Sequence, residues 1–245
     1  MNNIEEILKK FISTKINPQD YYIEDGLVCC RGSVEITDVD IVNGHLPFKF
    51  GKVDGIFYFY KCPSLTSLEG APQEVGGSFY CSCCTSLTSL EGAPQTVMDF
   101  YCYNCDSLTS LEGAPQKVGG SFSCAGCPSL TSLEGAPQEV GGIFDCSCCS
   151  SLTSLEGSPE KVGGSFICSN CTSLKSLEGA PQKVGRDFNC SNCSSLTSLE
   201  GAPQKVVGYF VCSNCTSLTS LEGTPQTVGM DFICSNCPSL TSFAK

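Results

Sequence analysis

Residues 166–187 read FICSNCTSLKSLEGAPQKVGRD, and from Phe188 the chain continues with nearly the same series, FNCSNCSSLTSLEGAPQKVVGY. The unit recurs along most of the chain and aligns on its phenylalanine, at intervals of 22 residues except for the interval that ends at Phe100, which is 21. A fixed period in the low twenties is the signature of a solenoid, in which each unit packs mainly on its neighbours. The aligned phenylalanines are Phe57, Phe79, Phe100, Phe122, Phe144, Phe166, Phe188, Phe210 and Phe232.

The apolar positions within one unit predict a tight coil. Phe166 and Cys168 lie two residues apart, as in a short strand, with both side chains on one face. Cys171, Leu174 and Leu177 follow at steps of three, which suits a tight curve, and glycine and proline then break the chain. No segment has the helical periodicity that a crossover helix needs. We therefore expect a β-solenoid with one parallel β-sheet, and turns or short 3-10 segments on its other wall.

The two ends of the chain differ from the repeats. Residues 4–13 have the pattern of a short amphipathic helix, and residues 26–42 alternate as one or two strands do. We expect residues 1–45 to form an N-terminal helix with capping strands, and residues 46–245 to form a solenoid of about nine 22-residue repeats, the last one incomplete. The last repeat stops without a cap, which predicts that it frays or associates with a second copy. The apolar face of the predicted helix consists of Ile4, Ile7, Leu8 and Phe11.

Composition excludes several classes of function. The formal net charge of −11 argues against a nucleic-acid partner and against docking on an anionic membrane. The N-terminal residues lack the unbroken apolar run of a secretory signal, and no stretch is long enough to span a bilayer, so we expect a cytoplasmic protein, with a virion-associated role as the alternative. His45 is the only histidine, and no nucleophile or phosphate-binding motif accompanies it. We expect neither an enzyme nor a bound cofactor.

Cysteine recurs in two columns when the repeats are stacked. In a reducing compartment free cysteine behaves as a small buried hydrophobe, and this interpretation is favoured. The C-x-x-C spacing leaves two alternatives open, namely thiolate binding of Cu(I) or zinc, and disulfides. Cys83 and Cys148 are additional cysteines at a position that is usually asparagine. One column comprises Cys81, Cys102, Cys124, Cys146, Cys168, Cys190, Cys212 and Cys234, and the other Cys62, Cys84, Cys105, Cys127, Cys149, Cys171, Cys193, Cys215 and Cys237.

A glutamate column is expected on the outside of the coil. Like charges at strand spacing repel one another, so we expect a solvated stripe towards which nearby lysines lean. The glutamates are Glu69, Glu91, Glu112, Glu134, Glu156, Glu178, Glu200 and Glu222. The lysines, five residues later in their repeats, are Lys117, Lys161, Lys183 and Lys205.

The segment VGGSFICSNCTSL, residues 162–174, resembles the core motif of the leucine-rich repeat family, L-x-x-L-x-L-x-x-(N or C)-x-L. Phe166 and Cys168 stand at two of the leucine sites and Cys171 at the asparagine-or-cysteine site, whereas the first leucine site holds glycine. The series C-x-S-L-T-S-L…P-x-x-V is similar to the Treponema-type (BspA-like) class of bacterial surface proteins, and the repeats also resemble those encoded by large tailed phages. This resemblance covers residues 46–245. It implies a right-handed leucine-rich-repeat-like coil, a phage or bacterial source, and a sheet face that binds proteins.

Variation between the repeats is concentrated on both sides of the phenylalanine. By strand alternation these neighbours point outward and share the sheet face, so we predict a non-enzymatic protein–protein interaction module with an unidentified protein partner. Alternatives are a thiolate metal-binding or storage protein and a self-associating structural solenoid. The predicted partner-binding residues are Tyr58, Tyr60, Tyr80, Tyr101, Tyr103, Asp145, Ile167, Asn189, Tyr209, Val211 and Ile233.

Overall fold

The chain is wound into a β-solenoid, as the repeat predicts. The computed structural model describes residues 9–12, 14–16 and 19–241. Each turn of the coil, called a rung below, begins at its phenylalanine. Most rungs contribute two short strands, and each strand pairs with the equivalent strands of the neighbouring rungs.

The N-terminal residues cover the first rungs. Residues 9–12 and 14–15 are helical, and the buried ring of Phe11 packs edge-on against Phe48 and Phe50 at centroid distances of 5.2 and 5.9 Å. The other residues of the predicted apolar face (Ile4, Ile7 and Leu8) lie outside the described residues. A 3-10 helix, Asp38–Asp40, follows the capping strands.

The strands are short, and most contain two residues. The first five are β1 (Tyr21–Glu24), β2 (Leu27–Cys30), β3 (Val34–Thr37), β4 (Phe50–Val53) and β5 (Phe57–Tyr60). The others are β6 (Glu74–Val75), β7 (Phe79–Tyr80), β8 (Phe100–Tyr101), β9 (Lys117–Val118), β10 (Phe122–Ser123), β11 (Glu139–Val140), β12 (Phe144–Asp145), β13 (Lys161–Val162), β14 (Phe166–Ile167), β15 (Lys183–Val184), β16 (Phe188–Asn189), β17 (Lys205–Val206), β18 (Phe210–Val211), β19 (Thr227–Val228) and β20 (Phe232–Ile233).

Two walls of the coil carry parallel sheets. The phenylalanine sheet has ten strands in the order β20-β18-β16-β14-β12-β10-β8-β7-β5-β3. On the second wall, the valine sheet has six strands in the order β19-β17-β15-β13-β11-β9, and a four-stranded sheet, β1-β2-β4-β6, lies at the N-terminal side. Among the strands of the described residues, only β1 and β2 pair antiparallel. Because β3 is the end strand of the phenylalanine sheet, the predicted cap contributes directly to the solenoid; a boundary at residue 45 stays a prediction.

The valine sheet was not predicted, since turns or 3-10 segments were expected on that wall. Its strands consist of one exposed or half-buried residue and one valine, as in Lys183–Val184. A strand of two residues is too short to show a periodicity in the sequence. It forms because it pairs with the equivalent strands one rung above and one rung below. Where the repeat is one residue shorter, the second wall is interrupted, and only an isolated bridge joins Glu74 to Thr96.

The core is a continuous stack of rings and thiols. Successive phenylalanine rings of the phenylalanine sheet are nearly parallel, with centroids 5.3 Å apart for Phe100 and Phe122 and 5.5 Å apart for Phe122 and Phe144. The rings of the repeat phenylalanines from Phe57 to Phe210 have no solvent exposure. Full burial of such a ring contributes about 1.5–3 kcal/mol, so the stack is a main source of stability.

Two turns in each rung need residues that tolerate a positive φ. Asn104, Asn170 and their equivalents adopt φ values of 56° and 60° just before the second cysteine column, and asparagine tolerates this left-handed conformation better than most residues. The glycine of the L-E-G series is more strictly required. Gly113 has φ 89°, and a Cβ atom there would overlap the backbone of Leu90 and Glu91 in the preceding rung. The positive φ and the close approach of the rungs both require glycine.

Candidate interaction face

Three of the predicted binding tyrosines lie side by side on the outside of the phenylalanine sheet. Tyr58 pairs in register with Tyr80, and Tyr80 with Tyr101. The rings of Tyr80 and Tyr101 stack with centroids 4.7 Å apart. Tyr58 donates a hydrogen bond from its hydroxyl to Glu35 Oε2 at 2.6 Å, and this bond raises the pKa of Tyr58. The three side chains are half-buried, so the row is a preformed aromatic surface.

The two other N-terminal tyrosines are more exposed. Tyr60 and Tyr103 are 53% and 38% exposed, and both lie two residues further along their rungs than the stacked row. Between them, in the intervening rung, lies the buried Ser82, which donates to the carbonyl of Tyr101 at 3.2 Å. Lys61 Nζ lies 5.4 Å from the ring centroid of Tyr60, a cation–π contact. Together with the stacked row, these residues form what we call the aromatic patch: Tyr58, Tyr60, Tyr80, Tyr101 and Tyr103.

The other predicted residues that follow the phenylalanine continue the same row. Asp145, Ile167, Asn189, Val211 and Ile233 pair with one another in register along the sheet. All are half-buried except Ile233, which is exposed. Asp145 Oδ1 accepts a hydrogen bond from the N–H of Ser147, and Asn189 Oδ1 accepts one from Ser191. These two side chains therefore stabilise their own turns as well as facing solvent.

The column before the phenylalanine is partly occupied by a hydrogen-bond ladder that the sequence analysis did not identify. Asp99 accepts hydrogen bonds from the Ser78 hydroxyl and the Ser121 N–H, at 2.9 and 2.7 Å. Asp187 likewise accepts from the Ser165 hydroxyl, and from the N–H of Tyr209 at 2.9 Å. Ser165 is buried, so not every residue of this column points freely outward. The sequence signal was the repeated serine and aspartate at this position.

The cysteine columns lie inside the coil as predicted, apart from Cys234 and Cys237, which are half-buried. Thiols of the second column donate to backbone carbonyls of the preceding rung, as Cys171 does to Cys146 at 3.2 Å and Cys193 to Cys168 at 3.2 Å. Burial raises the pKa of Cys193 to about 12 and the pKa of Cys168 well above its ordinary value. Cys168 and Cys193 are therefore neutral at physiological pH and serve as packing and turn-closing groups.

The extra cysteines Cys83 and Cys148 differ from those columns. Cys148 is exposed and Cys83 is half-buried, and both stand at the left-handed position that asparagine occupies in most other rungs, with φ values of 58° for Cys83 and 60° for Cys148. Within residues 9–12, 14–16 and 19–241, no group of three His, Cys, Asp or Glu side chains is arranged to hold a metal ion.

Ion pairs on the outside do not follow the predicted pattern. Lys117 and Lys161 bond to Glu139, which lies between them in the valine sheet, at 3.0 and 2.6 Å. Hydrogen bonds from Lys161 and then Lys117 lower the pKa of Glu139 to about 2. These lysines therefore pair along their own column and do not lean towards the glutamate column. The reason is register: strand pairing places the equivalent residue of the next rung closer than a residue five positions away in the same rung.

Comparison with known proteins found no matching family model, no matching curated protein and no matching solved structure. In the part of the chain that the structure describes, no helix has both the length and the apolar character that crossing a bilayer requires.

Proposed function

We propose that this protein is a non-enzymatic protein–protein interaction module whose binding surface is the outer face of the phenylalanine sheet. The observation that carries the proposal is the in-register row of differing side chains on a scaffold whose interior barely changes, with the aromatic patch at one end. Solenoids present recognition surfaces in this way, because the repeated core fixes the spacing of the outward residues.

The chemistry of the aromatic patch supports a protein partner. Tyrosine contributes a large, rigid contact area and a hydroxyl group, and it is enriched at the centres of protein interfaces. Tyr60 and Tyr103 are exposed, while Tyr80 and Tyr101 are already ordered by stacking. Side chains that are ordered before binding lose less entropy when a partner docks.

The proposed setting is reducing and intracellular. All 21 cysteines are free, and free thiols persist in the cytoplasm, where glutathione and thioredoxin keep them reduced. The resemblance to Treponema-type and tailed-phage repeats supports a bacterial or phage source, with a virion-associated role as the alternative. The partner's identity follows from the experiment below.

The test replaces Tyr60, Tyr80 and Tyr103 with serine in the full chain. Pull-down from the native host with quantitative mass spectrometry should identify a protein that the wild type enriches and that the variant loses about tenfold or more. The loss of the Tyr80–Tyr101 stack should cost only about 0.5–1.5 kcal/mol of stability, so the variant should stay folded by circular dichroism.

The matched control replaces Gln138, Gln182 and Gln204 with serine, because these exposed side chains lie away from the phenylalanine sheet, before the valine-sheet strands. It should keep the partner. Equal enrichment by the tyrosine variant and the wild type would contradict the proposal.

A second candidate function is self-association through the last described rung. Phe232 is half-buried there, whereas the equivalent rings from Phe57 to Phe210 have no exposure, and within the described residues β20 pairs only with β18. Unpaired strand edges with apolar side chains favour pairing with another chain. If this surface is used, Ile233→Asp should abolish concentration-dependent association in light scattering, and the aromatic-patch variant should not.

A further inference from the structure

The residues that directly precede the valines of the valine sheet form a column, and the charge of these residues changes along the coil. Glu139 forms ion pairs with both Lys117 and Lys161, so its single negative charge is shared between them. Beyond Lys161, the equivalent positions hold lysine in the next two rungs, and Lys183 pairs in register with Lys205. We call Lys161, Lys183 and Lys205 the lysine stripe. In residues 19–241, neither Lys183 nor Lys205 has a carboxylate within ion-pair distance.

This arrangement is unfavourable for the isolated chain. Like charges directly opposite each other on neighbouring strands destabilise a sheet. The protein carries 25 acidic residues and only 14 lysines and arginines, yet it places two unneutralised lysines side by side. An outside group of opposite charge would remove this repulsion.

An unneutralised row of the opposite sign precedes the lysines along each rung. Glu156, Glu178 and Glu200, which we call the glutamate stripe, are exposed, and no described cation lies within ion-pair distance of them. In each of these rungs only four residues separate the glutamate from the lysine. Both stripes repeat once per rung, at the strand spacing of about 4.8 Å.

The surface beside the stripes is indented. A shallow trough of about 280 Å³ is lined by Gln182, by residues 201–204 between Glu200 and Lys205, and by residues 223–226 of the next rung. On the other side of the lysines lies a groove of about 430 Å³ that includes Lys183, Lys205 and Val207. Val207 is 52% exposed. The two oppositely charged rows are therefore separated by four residues in each rung, and at their last rung a recess lies between them.

We propose that this wall is a self-complementary interface, in which two copies of the chain pack side by side with the lysine stripe of one against the glutamate stripe of the other. A second copy is the occupant that the spacing favours, because its glutamates repeat at the same interval as the lysines they face. Three successive rungs can then make contacts in register. An anion with a different spacing matches the stripe at only one lysine.

The charge pattern also fixes the symmetry of the pair. A two-fold axis parallel to the solenoid axis places Lys161, Lys183 and Lys205 against Glu156, Glu178 and Glu200 of the second copy, rung by rung and reciprocally. A two-fold axis lying across the solenoids in the interface plane would place glutamate on glutamate. The proposed dimer is therefore parallel, isologous and closed. The net charge of −11 on each copy opposes association at a distance, but salt screens that repulsion beyond about 8 Å at physiological ionic strength.

The experiment measures the mass of the full chain by sedimentation velocity over a concentration series in 0.15 M and 1 M NaCl, under reducing conditions. The wild type should dimerise at the lower salt and dissociate at the higher salt, where the Debye length falls to about 3 Å. The variant K161E/K183E/K205E should raise the dissociation constant by about tenfold or more. The control K9E/K10E/K49E makes the same change in net charge at exposed lysines away from both stripes, and it should dimerise like the wild type.

A charge-swap experiment separates this interface from every other. E156K/E178K/E200K carries lysine on both stripes, and K161E/K183E/K205E carries glutamate on both, so each alone should be monomeric. Mixed in equal amounts, the two should form a heterodimer. Ile233→Asp, which disrupts the last described rung, should leave wild-type dimerisation unchanged.

Three results would overturn the proposal: a wild type that is monomeric at every concentration in 0.15 M NaCl, a lysine-stripe variant that dimerises like the wild type, or a charge-swapped mixture that stays monomeric. Binding of a polyglutamate peptide to a monomeric wild type would assign the lysine stripe to an acidic partner instead. Since none of these substitutions touches the aromatic patch, the outcome is independent of the proposed function.

Discussion

The residues on the inner face of the phenylalanine sheet are constant and those on its outer face differ, although both belong to the same strands. In β14, Phe166 points inward and stacks on Phe144 and Phe188, while its neighbour Ile167 lies on the outer face between Asp145 and Asn189. The inner column is the same residue throughout because each ring is the packing surface of the next. The outer column has no such requirement, so its residues differ.

The comparison also shows that a residue in a variable column is not always available to a binding partner. Asp99 and Asp187 lie in a variable column, yet both accept hydrogen bonds from the adjacent rungs. Their carboxylates satisfy backbone N–H groups at a turn, which is a structural role. The residues best suited to recognition are therefore the exposed ones without such bonds to the neighbouring rungs, such as Tyr60 and Tyr103.

Alkaline pH should have the largest effect on the free energy of unfolding, and this effect should come from the buried thiols on the inner side of the coil. Burial raises the pKa of Cys193 to about 12 and that of Cys215 to about 11, from an ordinary value near 9. Above pH 9 the unfolded chain releases protons that the folded chain retains, so stability is full below that pH and falls as pH rises. Each buried thiol whose pKa is raised in this way should contribute a loss of about 1.4 kcal/mol per pH unit. Denaturant titrations between pH 8 and 11 under reducing conditions should show unfolding within this window.

The control for that prediction replaces Cys124, Cys146 and Cys168 with alanine. The cavities lower stability at every pH, but the slope of the unfolding free energy against pH should become shallower by about 4 kcal/mol per unit. An unchanged slope would show that these thiols do not carry the pH dependence.

Truncation of one inner ring should be the next largest effect. Phe122→Ala removes a ring from between Phe100 and Phe144 and leaves a cavity in the stack, so it should destabilise the protein by about 3–5 kcal/mol in urea unfolding. Ser123→Ala, one residue further on the outer face, should stay within about 0.5 kcal/mol of the wild type. Similar losses for the two variants would mean that the inner stack does not dominate stability.

Exchange of residues at the left-handed turn should give the smallest effect. Cys148 has φ 60°, as does Asn170 at the equivalent position. Cys148→Asn should stabilise the protein by roughly 0.5–1 kcal/mol and Asn170→Cys should destabilise it by a similar amount, because asparagine tolerates this conformation better. Thermal unfolding of both variants is the measurement. A shift of the same sign in both would refute the conformational explanation.

Much of this fold could be predicted from local patterns. The interval between phenylalanines predicted the coil, and the placing of Cys168 and Cys171 relative to Phe166 predicted two buried thiol columns, since a strand and a tight curve have known periodicities. The tyrosines of the aromatic patch could be placed on one face by alternation alone. Their stacking and the bond from Tyr58 to Glu35 could not be predicted, because these depend on side-chain conformations in adjacent rungs.

The sequence by itself determined the repeat, the inward direction of phenylalanine, cysteine and leucine, and the outward direction of the residues that follow the phenylalanine, because these follow from spacing along the chain. Only the tertiary structure decided how each rung meets the next. Stacking converts Lys183–Val184 into a strand, turns Asp99 and Asp187 into bridges between rungs, and places Lys183 beside Lys205 without a carboxylate between them. The physical reason is that each of these features is a contact between residues about 22 positions apart, which exists only once the coil has closed.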